Sequence, residues 1–370
     1  MKLCLITGSF PPIVCGVGDY TQNLCKVIAP FCDLSIITSQ DVVPNDDLPW
    51  KMICSMNQWN FSEIIKLIHL ISLEKPDIVH IQYPSIRYRK YLMINFLPFF
   101  LRIKNRHWKV ITTLHEYSDN GLLGQIRLFP NILFSHEIIV VDEEYQTDIK
   151  KIPLFKSTSI TCIHNAHNVT SIPDLIEVDR IHQILSSDGK YKLMGFFGFI
   201  RVEKGLENIL YAMISMKNEG NLLSKLVLLG SFPNSDYANG LRNIISENQL
   251  DDYIISTGYL SDNQVANYIS AIDFFVYPFV YGVSPKNTSV LVAIAHDKPL
   301  ITTRRNGKTV IDAHGIYYLN SSSDIREIVN LIDRFQSDML MYGVDYTSFD
   351  LTWDRVGKEH LRLYEKCMGR

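Results

Sequence analysis

The chain has 370 residues, 46% of them hydrophobic and 20% charged, with a formal net charge of -3. That length suits two domains with separate cores better than one. The slight acidity excludes a general nucleic-acid binder, which needs a basic surplus to neutralise phosphates, so any basic surface must be local.

From Lys2 the chain runs straight into an apolar strand at 3–6, with no leader-like apolar region or small-residue cleavage site, so secretion is not expected. Seven cysteines, Cys4, Cys15, Cys25, Cys32, Cys54, Cys162 and Cys367, form no Cys-x-x-Cys pair. Several lie in apolar runs where a reduced thiol packs as a small hydrophobe, which points to a reducing, cytoplasmic setting. Further short β-branched runs at 34–38, 78–81, 110–114, 138–141 and 158–163 read as buried strands, with helices expected at 19–29, 61–73 and 88–101. This is the rhythm of a parallel, doubly wound sheet and defines a first domain over 1–168.

The polar interval 169–190, with Pro173 and Ser186-Ser187-Asp188-Gly189, reads as a linker. A second series follows, with strands at 193–197, 226–229, 253–257, 274–277, 299–302 and 316–318, and helices at 207–218, 236–247, 262–271 and 290–296. It predicts a second Rossmann-like domain over 191–345. Within 346–370, helical spacing of Val356, Leu361, Leu363 and Tyr364 predicts a last helix that crosses back to the first domain. The longest apolar stretch, 91–101, falls short of the about 20 residues that span a bilayer, so no membrane-crossing helix is expected.

The first loop, Phe10-Pro11-Pro12-Ile13-Val14-Cys15-Gly16-Val17-Gly18-Asp19-Tyr20, joins the first strand to a helix. Glycines there permit close backbone approach, and a helix N-terminus favours anions. Gly16 and Gly18 are therefore candidates for a sugar or phosphate contact, the plain alternative being a tight turn. As a dinucleotide fingerprint the loop is incomplete, because Thr21 stands where the third glycine belongs.

This loop resembles the N-terminal glycine loop of GT-B glycosyltransferases, in particular glycosyltransferase family 4. Three further segments resemble the family in order: Lys75-Pro76-Asp77-Ile78-Val79-His80-Ile81-Gln82-Tyr83, Thr112-Thr113-Leu114-His115-Glu116-Tyr117, and Gly198-Phe199-Ile200-Arg201-Val202-Glu203-Lys204-Gly205. The resemblance spans nearly the whole chain. It implies two Rossmann-like α/β domains facing across a cleft, the first for the acceptor and the second for a nucleoside diphosphate sugar. It also implies retention at the anomeric carbon.

Arg201 and Lys204 follow a strand end, where two cations can stabilise a departing diphosphate; the plain alternative is a solvated helix start. Many relatives carry the arginine directly after the glycine, where Phe199 stands here. Another departure lies in 281–299. The family usually has two glutamates there, one facing the transferred sugar and one holding the ribose, and Ser284 and Val292 occupy those positions. What remains is a turn opening a helix, with Ser284 and the backbone N–H groups of Asn287, Thr288 and Ser289 as candidate donor contacts. The Gly-Val-Ser turn and the His164-Asn165-Ala166-His167-Asn168 turn are similar to those of a subgroup of the family.

His115 is expected to hydrogen-bond a sugar hydroxyl, and Glu116 and Asp19 to face the acceptor; capping and solvated roles are the alternatives. His80, inside a strand, reads as a hydrogen-bonded core residue. No metal-ligand spacing is present, His164 and His167 being too few, so neither metal nor cofactor is expected. The segment 87–109 surrounds an apolar centre with basic and aromatic residues, which fits either the face of an anionic membrane or a core helix with a basic rim.

The reading is a cytoplasmic glycosyltransferase, at the inner membrane face where 87–109 serves that role. It transfers a sugar from a nucleoside diphosphate sugar to a glycan or lipid-linked acceptor in bacterial surface polysaccharide assembly. The missing glutamates leave open a non-catalytic subunit of the same fold that binds a glycan or a partner transferase. A sugar-nucleotide epimerase is a second alternative and a nicotinamide dehydrogenase a distant third.

Overall fold

The computed structural model describes residues 1–13, 15–43, 48–88, 90–118, 120–230, 232–311, 313–340 and 350–369. The chain divides into two compact units, Met1–Asn168 with Thr352–Arg370, and Val169–Leu351.

Unit 1 runs β1 (Lys2–Ile6), α1 (Gly16–Ile28), β2 (Asp33–Ser39), β3 (Lys51–Met56), α2 (Ile64–Glu74), β4 (Ile78–Tyr83), α3 (Met93–Lys104), β5 (Lys109–Leu114), α4 (Leu122–Arg127), α5 (Phe129–Phe134), β6 (Glu137–Val140), α6 (Glu143–Lys151) and β7 (Ile160–Cys162). The strands form a 7-stranded parallel sheet in the order β3-β2-β1-β4-β5-β6-β7. Every residue of β4 is buried, as expected for a strand covered by helices on both faces.

Unit 2 runs α7 (Leu175–Ser186), β8 (Lys192–Phe197), α8 (Leu206–Asn218), β9 (Ser224–Leu229), α9 (Asp236–Glu247), β10 (Ile254–Ser256), α10 (Asp262–Ala271), β11 (Phe274–Tyr277), α11 (Thr288–Ala295), β12 (Leu300–Thr303), β13 (Ile316–Leu319) and α12 (Ile325–Gln336). Its 6-stranded parallel sheet has the order β10-β9-β8-β11-β12-β13. In both sheets the order reverses beside the first strand, between β1 and β4 and between β8 and β11. A crevice opens at such a switch point, outside the carboxyl ends of the strands, and ligands of open α/β sheets bind there.

The last helix, α13 (Trp353–Cys367), is capped by Thr352 and belongs to unit 1, where it packs on α1. Residue 357 is glycine because a Cβ there would lie 2.7 Å from Val27 Cγ2 on α1.

The interval 169–190, expected as a linker, instead contains α7, which is capped by Asp174, buries Ile181 and packs on α10. Its single strongly buried apolar side chain explains why the segment reads as polar. β3 was not expected because it is an edge strand, half-exposed along most of its length. α3 starts at Met93 rather than 88 and ends on Lys104. α4, α5, α6 and α12 also lie outside the expected elements. The expected domain boundary at 345/346 falls outside the described residues.

Candidate functional site

In unit 2 the segment after β8 turns over a glycine at each end. Gly198 has φ +130°, and a Cβ on it would lie 3.7 Å from Ser289 Cβ, so this segment runs beside the first turn of α11. Gly205 has φ +65° and stands so close to the loop after β11 that a Cβ would be 2.2 Å from the Pro278 carbonyl oxygen. Between them Val202–Lys204 form a short 3-10 turn, tied down by the Val280 amide donating to the Glu203 carbonyl at 3.1 Å. Two glycines in left-handed or extended-positive backbone therefore bring the ends of β8 and β11 together.

Lys204, at the end of that turn, is half-buried, with Nζ 4.2 Å from the centroid of the Phe279 ring. Burial pushes its ammonium down to about 8; Glu203 opposes that shift, and Arg201 and Lys286 add to it. Arg201 is exposed, 5.5 Å from the Phe199 ring and 3.8 Å from Glu203. Lys204 and Arg201 thus stand in one short turn beyond β8, each beside an aromatic ring, at the switch point where ligands of such sheets bind.

Of the residues expected in the 284–289 turn, the structure keeps some for the protein's own use. The Asn287 amide donates to the Ser284 carbonyl at 3.0 Å, so it is not available to a diphosphate, which corrects that expectation. The Asn287 side chain accepts from the Ser284 amide at 2.7 Å instead of capping α11. Thr288 and Ser289 form the first turn of that helix, where backbone N–H groups point outward along the axis. The Ser284 hydroxyl is buried and has no hydrogen-bond partner, and Val292 is in the core, so neither glutamate position carries a group that opens to solvent. Gly282, at φ +75°, packs so tightly that a Cβ would be 2.5 Å from the Arg304 carbonyl oxygen.

Unit 1 presents a different edge. His115 follows β5; its Nε2–H donates to the Gln82 Oε1 at 2.8 Å, and its ring meets Tyr20 edge-on at 4.6 Å. Burial and the nearby His360 push its imidazole down to about 3, so it is neutral, with Nδ1 left as an acceptor. Behind it lies a buried layer. His80 bonds Tyr364 at 2.8 Å and Thr113 at 2.7 Å, and His360 donates Nδ1–H to the Val356 carbonyl at 2.8 Å and faces the Tyr20 hydroxyl at 3.4 Å. His80 is therefore a satisfied core residue.

Glu116 is half-buried beside His115. Asp19 sits in the first turn of α1, its amide donating to the Cys15 carbonyl at 2.9 Å. Gly16 opens the same helix with nothing near its missing side chain, whereas Gly18 is used internally, a Cβ there being 3.1 Å from the Ser9 carbonyl oxygen. The 164–168 turn is held by α13, through Trp353 Nε1 to the His167 carbonyl and Arg355 to the His164 carbonyl. Among the described residues, no group of three or more His, Cys, Asp or Glu is placed to hold a metal ion.

Sequence reasoning passed over Lys286, Phe279 and Gln82. Lys286 had a signal, as the one Lys or Arg between Tyr281 and Ala295. Phe279 and Gln82 act through contacts between strand ends, which spacing along the chain does not reveal.

Residues 191–338 match the family model described as Glycosyl transferases group 1. No curated protein sequence matches. Among solved structures, a glycosyltransferase from Rickettsia africae is similar with a TM-score of 0.73 at 13% identity, covering 99% of each chain. Sucrose-phosphate synthase from Thermosynechococcus elongatus is similar with a TM-score of 0.69 at 15% identity, covering 100% of this chain and 95% of its own. HepE from Anabaena, solved in complex with UDP-glucose, is similar with a TM-score of 0.66 at 13% identity, covering 100% and 95%.

Proposed function

We infer that this chain moves a sugar from a nucleoside diphosphate sugar to a glycan or lipid-linked acceptor, because residues 191–338 match the model of group 1 glycosyl transferases and its two parallel sheets have the GT-B fold. The observation that carries the donor side is the turn beyond β8, which Gly198 and Gly205 fold against the first turn of α11 and the loop after β11, with Lys204 half-buried over the Phe279 ring. In the proposed step the bond between the anomeric carbon and the β-phosphate oxygen breaks, and the acceptor oxygen bonds to that carbon on the same face, so configuration is retained. The acceptor proton passes to the departing phosphate. Lys204 and Arg201 stabilise the negative charge that grows on the diphosphate, and the Thr288 and Ser289 amides bind its oxygens through the N-terminus of α11.

On the acceptor side, His115 accepts a sugar hydroxyl at Nδ1, with Glu116 and Asp19 beside the acceptor path. HepE and a starch synthase solved with ADP and acarbose show that proteins of this fold hold nucleotides and sugars. The setting that fits is bacterial surface polysaccharide assembly on the cytoplasmic side.

The test is a titration with a panel of nucleoside diphosphate sugars followed by thermal unfolding. A donor present at about 100 times its Kd adds about 2.7 kcal/mol. Lys204→Ala is expected to abolish the shift and to lower transfer to an acceptor roughly 100- to 1000-fold. A panel in which no donor stabilises the protein, or a Lys204→Ala protein that transfers normally, refutes the reading.

A further inference from the structure

No acidic residue occurs between Asp77 and Glu116, while Arg87, Arg89, Lys90, Arg102, Lys104, Arg106 and Lys109 all fall in that interval, in a chain whose net charge is -3. Arg87 is paired with Asp41, and the buried strands β4 and β5 take up part of the interval, but Arg102, Lys104 and Arg106 are exposed together at the end of one helix, a local basic surplus that suits an anionic partner. Unit 1 builds this segment around α3. The inner side of that helix is core, with Met93, Ile94, Leu97 and Leu101 fully buried. Its outer side is also apolar. Leu92 is 48% exposed, Phe96 37% and Ile103 67%, residues whose spacing at 100° per residue puts them on one narrow stripe. Arg102 and Lys104 flank that stripe on either side of the helix, both exposed.

Neighbouring elements extend the patch. Phe61 meets Phe96 at a tilt, with ring centroids 6.0 Å apart, and is itself exposed. Arg127 at the end of α4 bonds the Tyr91 carbonyl and Asn95, which fixes α4 beside the first turn of α3. On α4, Leu122 and Leu123 are 73% and 83% exposed. At the other end of α3, a recess of about 400 Å³ is lined by Lys75, Lys104, Asn105 and His107 together with one carboxylate, Asp77. No helix among the described residues is long and apolar enough to cross a membrane.

We propose that this face of unit 1 docks on an anionic phospholipid bilayer. The stripe of Leu92, Phe96 and Ile103, together with Leu122 and Leu123, enters the headgroup boundary, and Arg102, Lys104, Arg106 and Lys109 pair with lipid phosphates. A helix lying in the interface needs an apolar face and flanking cations, and each Lys or Arg near such a surface adds an attraction that salt screens. A protein partner would explain exposed leucines equally well; the basic surplus at the end of α3 selects a polyanionic surface. The proposal deepens the lipid-linked acceptor reading, yet it stands on unit 1 alone and does not depend on catalysis.

Co-sedimentation with phosphatidylglycerol-containing vesicles and with pure phosphatidylcholine vesicles tests it. The protein is expected to bind the first and not the second, and to be released by salt. Arg102→Glu/Lys104→Glu/Arg106→Glu lowers the partition coefficient on the order of 100-fold, and Leu122→Ser/Leu123→Ser on the order of tenfold. Both variants change only exposed side chains, so an unchanged thermal midpoint and an unchanged donor-induced shift show that fold and donor site are intact. Absence of binding to anionic vesicles overturns the proposal. So does binding that both variants retain, or a wild-type dimer in light scattering that the leucine substitutions dissociate.

Discussion

Beyond β8 and β11 the second sheet gathers cations over aromatic rings, Arg201 and Lys204 with Phe199 and Phe279, whereas the first sheet is backed by neutral imidazoles and phenols, His80, His115 and His360 with Tyr20 and Tyr364. The two sheets share a strand order around their switch points, and the contrast comes from what is set there: Arg201, Lys204 and Phe279 follow β8 and β11, whereas His80 lies within β4, His115 follows β5, and Tyr20, His360 and Tyr364 come from α1 and α13. A cationic edge is costly until an anion arrives and is therefore suited to a ligand that leaves as a diphosphate. A neutral, hydrogen-bonded edge is satisfied on its own and can offer donors and acceptors to sugar hydroxyls without attracting charge.

The sharpest way to test the contrast is acid. Burial lowers the imidazoles of His80, His115 and His360, to about 3 for His115 and about 4 for His360. In the unfolded chain a histidine titrates near about 6.5. The folded unit resists protonation while the unfolded chain accepts it, so the stability these residues support is intact above that value and is lost as pH falls towards the folded values. Each costs about 1.4 kcal/mol per pH unit below about 6.5, or about 4 kcal/mol per unit for the three together. In unit 2, His182 is shifted upward by its hydrogen bond to Asp273, so it gains stability over the same fall. Trp50, Trp59, Trp108 and Trp353, all the tryptophans, belong to unit 1, and their fluorescence reads that unit's unfolding. The urea midpoint by fluorescence should drop steeply from about pH 6.5 to about pH 5, and His360→Phe should remove about a third of the slope. A midpoint that is flat over that range breaks the contrast.

A smaller effect tests how the cationic edge is built. Gly205→Ala introduces a side chain at φ +65° and a Cβ 2.2 Å from the Pro278 carbonyl oxygen, so it combines strain with a backbone collision. The expected loss is about 2 kcal/mol or more in unit 2, together with a weaker donor-induced shift. Gly220→Ala has a comparable φ of +72° and nothing within 4 Å, which isolates the strain. Circular dichroism should report the loss while tryptophan fluorescence keeps its midpoint. Equal costs for the two substitutions would mean that the contact with the β11 loop contributes nothing.

The same contrast explains what the sequence made legible. Both sheets were readable because parallel strands buried on two faces appear as short apolar runs, as in β4 and β11, and the sheet edge β3 was missed because half of it faces water. The cationic edge was largely readable, since Arg201, Lys204 and Gly205 stand within five residues after one strand. The neutral edge was readable only in part: His80 was legible as a hydrogen-bonded core residue and His115 as a polar group beyond its strand, but His360, 280 residues from His80, joins them only because α13 returns to α1. The Asn287 amide was misassigned for a local reason, a turn that closes on its own Ser284 carbonyl.

The finest distinction between the edges is their response to base. Lys204 is held down to about 8 chiefly by burial, so in the free protein it loses its proton well before an exposed lysine would. A diphosphate donor is already fully ionised there, and the binding energy lost on raising pH belongs to the lysine. Donor Kd is therefore expected to hold steady up to about pH 8 and then to rise by at most tenfold, or about 1.4 kcal/mol, per further pH unit. Lys204→Arg keeps its charge throughout, which flattens the curve even where the longer guanidinium binds less well. Calorimetric titration of the wild type and this variant from about pH 7 to about pH 9.5 separates the two outcomes. A parallel rise in both proteins would place the titrating group elsewhere, and a flat wild-type curve would mean that Lys204 stays charged and that its burial does not tune it.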